Sequence, residues 1–342
     1  MTGRERVRRA VGFEHPDRVP RDLWALPGVE MFRKAELDEV RARFPPDITR
    51  AESPYARADR ERGTPCVVGS YSNLWGATWQ VGEPGVIGEV KHPPLADWSA
   101  LDSYEMPWEV LNRADWDRVN RSCAATDLFV VGSTQTHPFE VMQFLRGSAN
   151  LFLDLGYQPK QLGRLRDRLH EFMLRDIELW AKTDVDAIAL MDDWGTQRAM
   201  LISPDLWRSF FKPLYRDYFD AIHAGGKFVF FHSDGYIRPI LNDLVEIGVD
   251  ALNSQLFCMD IEEIGRSFRG RLTFWGEIDR QYVLPFGSAD EVREAVRRVR
   301  RALDDGRGGV IAQCEFGNDV PKENILAVFE AWRGPRGSLS VD

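Results

Sequence analysis

Short apolar runs along this chain alternate with longer stretches whose apolar positions recur at helical spacing. The densest run is Phe228 to Phe231, preceded by Gly225 and Gly226 and stopped by His232, Ser233, Asp234 and Gly235. Four consecutive β-branched or aromatic residues predict a strand buried on both faces. Comparable runs predict strands over 128–132, 187–191, 249–253, 272–275 and 309–312, and a first strand around Leu23 and Trp24. Between them lie helical patterns. One runs over 160–181, with Leu162, Leu165, Leu169, Phe172, Met173 and Trp180 on one face. Others cover the first residues to about Val11, 31–44 before Pro45 and Pro46, 138–145, 237–247 before Gly248, and 322–332. Ser203 and Pro204 read as N-cap and first helical residue. Ser288 and Glu291 form a capping box for a helix to Leu303.

Strands alternating with helices predict parallel βα units. No G-x-G-x-x-G follows a strand and no P-loop is present, which disfavours a dinucleotide-binding sheet. The expectation is a single α/β domain over 1–342, a (β/α)8 TIM-type barrel. Residues 48–115, dense in Gly, Pro and aromatics, read as a loop-rich cover over one end.

Composition narrows the function. The 342 residues carry a net charge of −9, with a pI near 5.3, a poor match to sequence-independent nucleic-acid binding. No apolar run reaches the length of a membrane span, and the charged N-terminus shows no signal-peptide core, so the expected location is cytoplasmic. Cys66, Cys123, Cys258 and Cys314 are scattered and form no CxxC pair; a disulfide framework is not expected.

Polar residues that follow the predicted strands share one end of the barrel, where active sites of this architecture collect. They are His137, Asp192, Asp193, His232, Asp234, Gln255, Glu277, Asp279, Cys314 and Glu315. His232 and Asp234, two apart in extended chain, point the same way. With Cys314 they offer nitrogen, oxygen and sulfur donors, all acceptable to zinc. A hydrogen-bonded histidine at a strand end satisfies the same spacing equally well. Asp192 and Asp193 are adjacent and so face opposite sides; one faces the barrel mouth as a substrate-orienting or acid–base group, and the other caps the loop. Glu277, after Gly276, reads as a further metal ligand or a general acid, or as one half of a salt bridge across the rim.

These blocks resemble the uroporphyrinogen decarboxylase superfamily. The resemblance rests on Asp192-Asp193-Trp194-Gly195-Thr196-Gln197, Ile202-Ser203-Pro204, Phe231-His232-Ser233-Asp234-Gly235, Gly248-Val249-Asp250, Trp275-Gly276-Glu277-Ile278-Asp279 and Pro321-Lys322-Glu323-Asn324-Ile325. It implies a (β/α)8 barrel. True uroporphyrinogen decarboxylases carry an M-R-Q-A-G-R stretch, whereas Leu23-Trp24-Ala25-Leu26-Pro27-Gly28 stands here. The resemblance therefore points away from tetrapyrrole decarboxylation. It points towards the branch of zinc methyltransferases that work with corrinoid proteins. Those bind zinc through H-x-C and a distant Cys, which implies His232 and Cys314 as ligands here. Asp234 stands in place of the middle Cys, so that Asp234 or Glu277 supplies an oxygen ligand, suited to polarising an ether oxygen. The implied activity moves a methyl group from a small methoxylated or methylated substrate to a corrinoid. No D-x-H-x-x-G corrinoid motif occurs, so the corrinoid is expected on a separate partner protein. Asp192 or Asp193 would orient the substrate. The alternative is a metal-free decarboxylase or lyase using Asp192, His232 and Arg21 on a carboxylated substrate.

Overall fold

The computed structural model describes residues 1–334. Its strands are β1 (Arg21–Ala25), β2 (Ile48–Arg50), β3 (Gly69–Ser72), β4 (Thr78–Val81), β5 (Glu89–His92) and β6 (Phe129–Ser133). They continue as β7 (Ala187–Met191), β8 (Phe228–Ser233), β9 (Ala251–Ser254), β10 (Thr273–Trp275) and β11 (Val310–Phe316). Among the described residues, eight strands pair in parallel in the order β1-β11-β10-β9-β8-β7-β6-β2, a (β/α)8 barrel. The sheet is nearly closed. Across the gap between β1 and β2, the Asp47 N–H donates to the Arg21 carbonyl at 2.8 Å. The Asp47 carboxylate accepts from the Arg21 N–H at 2.8 Å and from the Arg6 and Arg18 guanidinium groups at 2.5–2.9 Å.

Strand alternation sorts the side chains. Ile48, Phe129, Val131, Ala187, Phe230, Ala251, Trp275 and Ile311 fill the barrel interior. Val229, Phe231, Ile188, Leu252 and Ala312 face outward into the layer beneath the helices. The long helix Lys160–Trp180 buries Leu162, Leu165, Leu169, Phe172, Met173 and Trp180, the face its spacing predicts. Ser203 caps its helix by accepting from the Leu206 N–H at 3.2 Å, and the Ser288–Glu291 capping box is formed. The region after β2 holds the antiparallel sheet β3-β4-β5 among loops. Among the described residues no helix is long and apolar enough to cross a membrane.

Several elements differ from expectation, among them β2, which belongs to the barrel although 48–115 read as its cover. The predicted helix over 31–44 is two helices, Pro27–Phe32 and Lys34–Arg43. A helix at Ser148–Tyr157 had no counterpart, because its apolar residues cluster rather than recur. The last barrel strand does not stop at Ala312: β11 pairs with β1 through Phe316, carrying Gln313, Cys314 and Glu315 inside the strand.

Candidate metal centre at the barrel mouth

The C-terminal ends of β7 and β8 are stitched together. The Gly195 N–H donates to the Asp234 carbonyl at 3.1 Å, and the Asp234 N–H donates to Asp193 Oδ1 at 2.9 Å. Gly195 and Gly235 approach so closely that a Cβ on Gly235 would fall 2.2 Å from the Gly195 carbonyl carbon, and Gly235 itself has φ +78°. This contact holds Asp193 and Asp234 on either side of the histidine that ends the apolar run. Among the described residues, Asp193, His232 and Asp234 form the group whose candidate ligand atoms all lie within 4.8 Å of one another.

His232 is buried, and Asn253 sets its tautomer. The Asn253 amide nitrogen donates to the Trp275 carbonyl at 2.5 Å and to Gln313 Oε1 at 3.1 Å. Its oxygen therefore faces His232 Nδ1 at 2.6 Å, making Nδ1 the donor and directing Nε2 at the carboxylates. His232 Nε2 lies 3.5 Å from Asp193 Oδ1 and 3.5 Å from Asp234 Oδ1. Burial lowers the imidazole pKa, but Asp193 and Asp234 outweigh it and carry it up to about 9. Asp234 Oδ1 is buried without a hydrogen-bond partner among the described residues. Burial raises the Asp234 pKa, opposed by His232 and Arg280; Asp193, although burial raises its pKa too, is held below the ordinary value by the His232 hydrogen bond.

Glu277 closes the other side. It is 2% exposed, its Oε1 accepts no hydrogen bond among the described residues, and burial pushes its pKa up to about 8 despite Arg280, 3.7 Å away. Arg280 also donates to Asp234 Oδ2 and, at 3.0 Å, to Glu315. Glu277 and Arg280 line a small cleft with Gln197, Gln255, Cys258 and Tyr282. Arg50, at the mouth end of β2, lies 5.6 and 5.3 Å over the Trp24 and Trp275 rings and has no ion-pair partner among the described residues. Trp24 in turn packs 5.3 Å from His232. Neither Arg280 nor Arg50 carries a pattern in the sequence that marks it for this site.

The other expected residues are distributed differently. Asp192 points away from Asp193, is fully buried, and caps the helix Pro138–Arg146 by accepting from the Phe139 and Glu140 N–H groups at 2.8 Å. It also accepts from the Tyr215 hydroxyl at 2.5 Å, which leaves it no access to a substrate. Burial and Glu140 raise its pKa to about 8 against these donors. Cys314 lies on the helix-facing side of β11, in the layer with Ala312 and Phe316, because alternation there gives the interior to Gln313 and Glu315. Burial holds its thiol well above the ordinary value, helped by Glu277, and its sulfur does not join the Asp193–His232–Asp234 group. Glu277 is likewise outside that group. Gln255 accepts from the Gly235 N–H, Asp279 from the Gln281 and Tyr282 N–H groups, and His137 contacts Glu140. Arg21, expected to meet a substrate carboxylate, starts β1 and so sits at the opposite end of the barrel.

The donor set suits a divalent cation. Two carboxylates and one neutral imidazole nitrogen are acceptable to zinc, and the unpartnered Asp234 Oδ1 is a ready ligand atom. No curated protein matches the chain. Among solved structures it is similar to a methyltransferase from Methanosarcina mazei, with 19% identity, 97% and 98% of the two chains covered, and a TM-score of 0.72. A glycoside hydrolase family 10 endo-β-1,4-xylanase from Gloeophyllum trabeum is similar at 9% identity, with 95% and 98% covered and a TM-score of 0.48. At 19% identity the likeness to the methyltransferase concerns the fold alone. The family model described as uroporphyrinogen decarboxylase (URO-D) matches residues 85–334, and with that match the chain belongs to the URO-D family.

Proposed function

We propose that the protein is a zinc-dependent methyltransferase that moves a methyl group from a small methoxylated or methylated substrate to a corrinoid on a partner protein. The observation that carries this reading is the buried, unpartnered Asp234 Oδ1 facing His232 Nε2 beside Asp193. Asp193, His232 and Asp234 would hold the metal. When bound, it would supply Lewis acidity to the oxygen that bears the methyl group. Asn253 holds the imidazole so that Nε2, not Nδ1, is the free nitrogen. Breaking the methyl–oxygen bond leaves its electron pair on oxygen, and Glu277, protonated below about pH 8, supplies the proton there. Arg280 fixes Asp234 and Glu315 and keeps the mouth from accumulating uncompensated negative charge. Arg50, on its tryptophan shelf and attracted by the buried Asp22 carboxylate, orients an anionic group of the substrate.

Arg50 also supports the second reading, a metal-free decarboxylase or lyase acting on a carboxylated substrate, with Glu277 reprotonating the product carbon. Metal content separates the two. Stoichiometric zinc in protein purified without a chelating tag, lost in His232→Ala, supports the methyltransferase reading. Metal-free wild-type protein that does not take up zinc on dialysis leaves the decarboxylase.

A further inference from the structure

The end of the barrel opposite the mouth carries a second cluster of charge. A cleft of about 420 Å³ there is lined by residues including Arg18, Arg21, Arg300, Trp332 and Arg333. Arg21 is 8% exposed, yet among the described residues its guanidinium has neither an ion-pair nor a hydrogen-bond partner. Its cation lies 5.7 Å from the centre of the Phe44 ring, and the Arg333 cation lies 4.3 Å from the same ring. Arg333 donates to the Arg43 carbonyl at 3.0 Å but has no carboxylate partner among the described residues.

The carboxylates nearby are committed elsewhere. Asp47 is held by Arg6 and Arg18, Asp17 by Arg6, and Asp304 faces Arg300 at 3.6 Å. Among the described residues, five arginines thus face three carboxylates, leaving the charge of two guanidinium groups uncompensated around one cleft. Burial, then repulsion from Arg18 and Arg333, lowers the Arg21 pKa to about 10. A buried, unpaired cation set among like charges is costly unless an anion completes it. Guanidinium forks match tetrahedral oxyanions through paired, charge-assisted hydrogen bonds.

We propose that this cleft at the N-terminal end of the barrel binds a phosphate-type oxyanion through Arg21 and Arg333. The ligand is inorganic phosphate or the phosphate group of a small molecule, and the volume admits either. Phosphate sites in this architecture ordinarily lie at the opposite, C-terminal face, so this one is separate from the catalytic mouth.

Isothermal titration calorimetry on the full chain at low ionic strength tests it, with inorganic phosphate, glycerol phosphate and acetate as ligands. Both phosphates bind at one per chain and acetate does not. Arg333→Gln weakens phosphate about tenfold, and Arg21→Met abolishes binding. Phosphate raises the Tm of wild type but not of Arg21→Met, which in the absence of ligand melts no lower than wild type because it loses a repelled cation. Tighter binding of glycerol phosphate assigns a phosphorylated small molecule; tighter binding of inorganic phosphate assigns the free anion. No heat with either phosphate, or equal affinity in wild type and Arg21→Met, overturns the proposal. Should Arg21→Met fail to fold, Arg333→Gln on the exposed rim carries the same comparison.

Discussion

His232 stands between three side chains that fix both its orientation and its charge. Asn253 accepts the hydrogen bond from Nδ1–H, and Asp193 and Asp234 face Nε2. A divalent ion at this site competes with a proton on Nε2, so loading is favoured as pH rises towards 9. Asn253→Leu removes the tautomer lock while leaving all three ligands; zinc affinity falls about 10–100-fold, measured by competition with a chromophoric chelator. Glu277 gives the second test at this scale. Its raised pKa keeps it protonated at neutral pH, and the donor is lost as pH rises through about 8. The rate of substrate demethylation therefore declines on the alkaline side in wild type. Glu277→Gln lowers it about 100-fold or more and removes that limb from the pH profile. A variant that keeps the wild-type profile assigns the limb to another group. His232, Asp234 and Glu277 were legible as polar residues at strand ends. Arg280 and Arg50 were not, because an isolated arginine in a loop or at the end of a short strand looks like any solvated one.

The helix Pro138–Arg146 has no side-chain cap of its own, since His137 at its N-cap does not accept from its first turn. Asp192, just past the end of the neighbouring strand β7, fills that role. Its two backbone N–H donors and the Tyr215 hydroxyl, all bonded to its carboxylate, make it a structural residue. Asp192→Ala leaves buried donors unsatisfied and costs about 3 kcal/mol, read by denaturant unfolding, while folded protein retains its zinc. Opposite facing of Asp192 and Asp193 followed from two adjacent residues in extended chain, and the structure divides them that way. Cys314 shows where such reading breaks down. Its expected position past a strand end depended on β11 stopping at Ala312, but pairing with β1 continues to Phe316 and fixes the alternation. Strand ends set by a neighbour's register are not written in the strand's own residues.

For the molecule as a whole, repeated strand–helix alternation made the barrel legible, while its closure was not. The gap between β1 and β2 is spanned by Asp47, 2% exposed and bound by Arg6, Arg18 and two backbone groups of Arg21. No local pattern marks that aspartate, because its partners come from three other segments. Asp47→Ala leaves Arg6 its Asp17 partner but removes the acceptor of Arg18 and of the buried Arg21 N–H at the seam, destabilising the barrel by about 2–3 kcal/mol, seen as a lower urea midpoint; a shift under 1 kcal/mol contradicts its role as the clamp.

Zinc stoichiometry tests the central claim most directly. Wild type, Asp234→Asn and Cys314→Ser are purified without a chelating tag, dialysed against zinc and analysed for bound metal, with circular dichroism confirming the fold. Asp234→Asn keeps the side-chain shape but weakens the oxygen ligand, and Cys314→Ser alters a sulfur that lies on the far side of its strand. The account predicts about one zinc per chain in wild type and in Cys314→Ser, and little in folded Asp234→Asn. Metal retained by Asp234→Asn but lost from Cys314→Ser contradicts it.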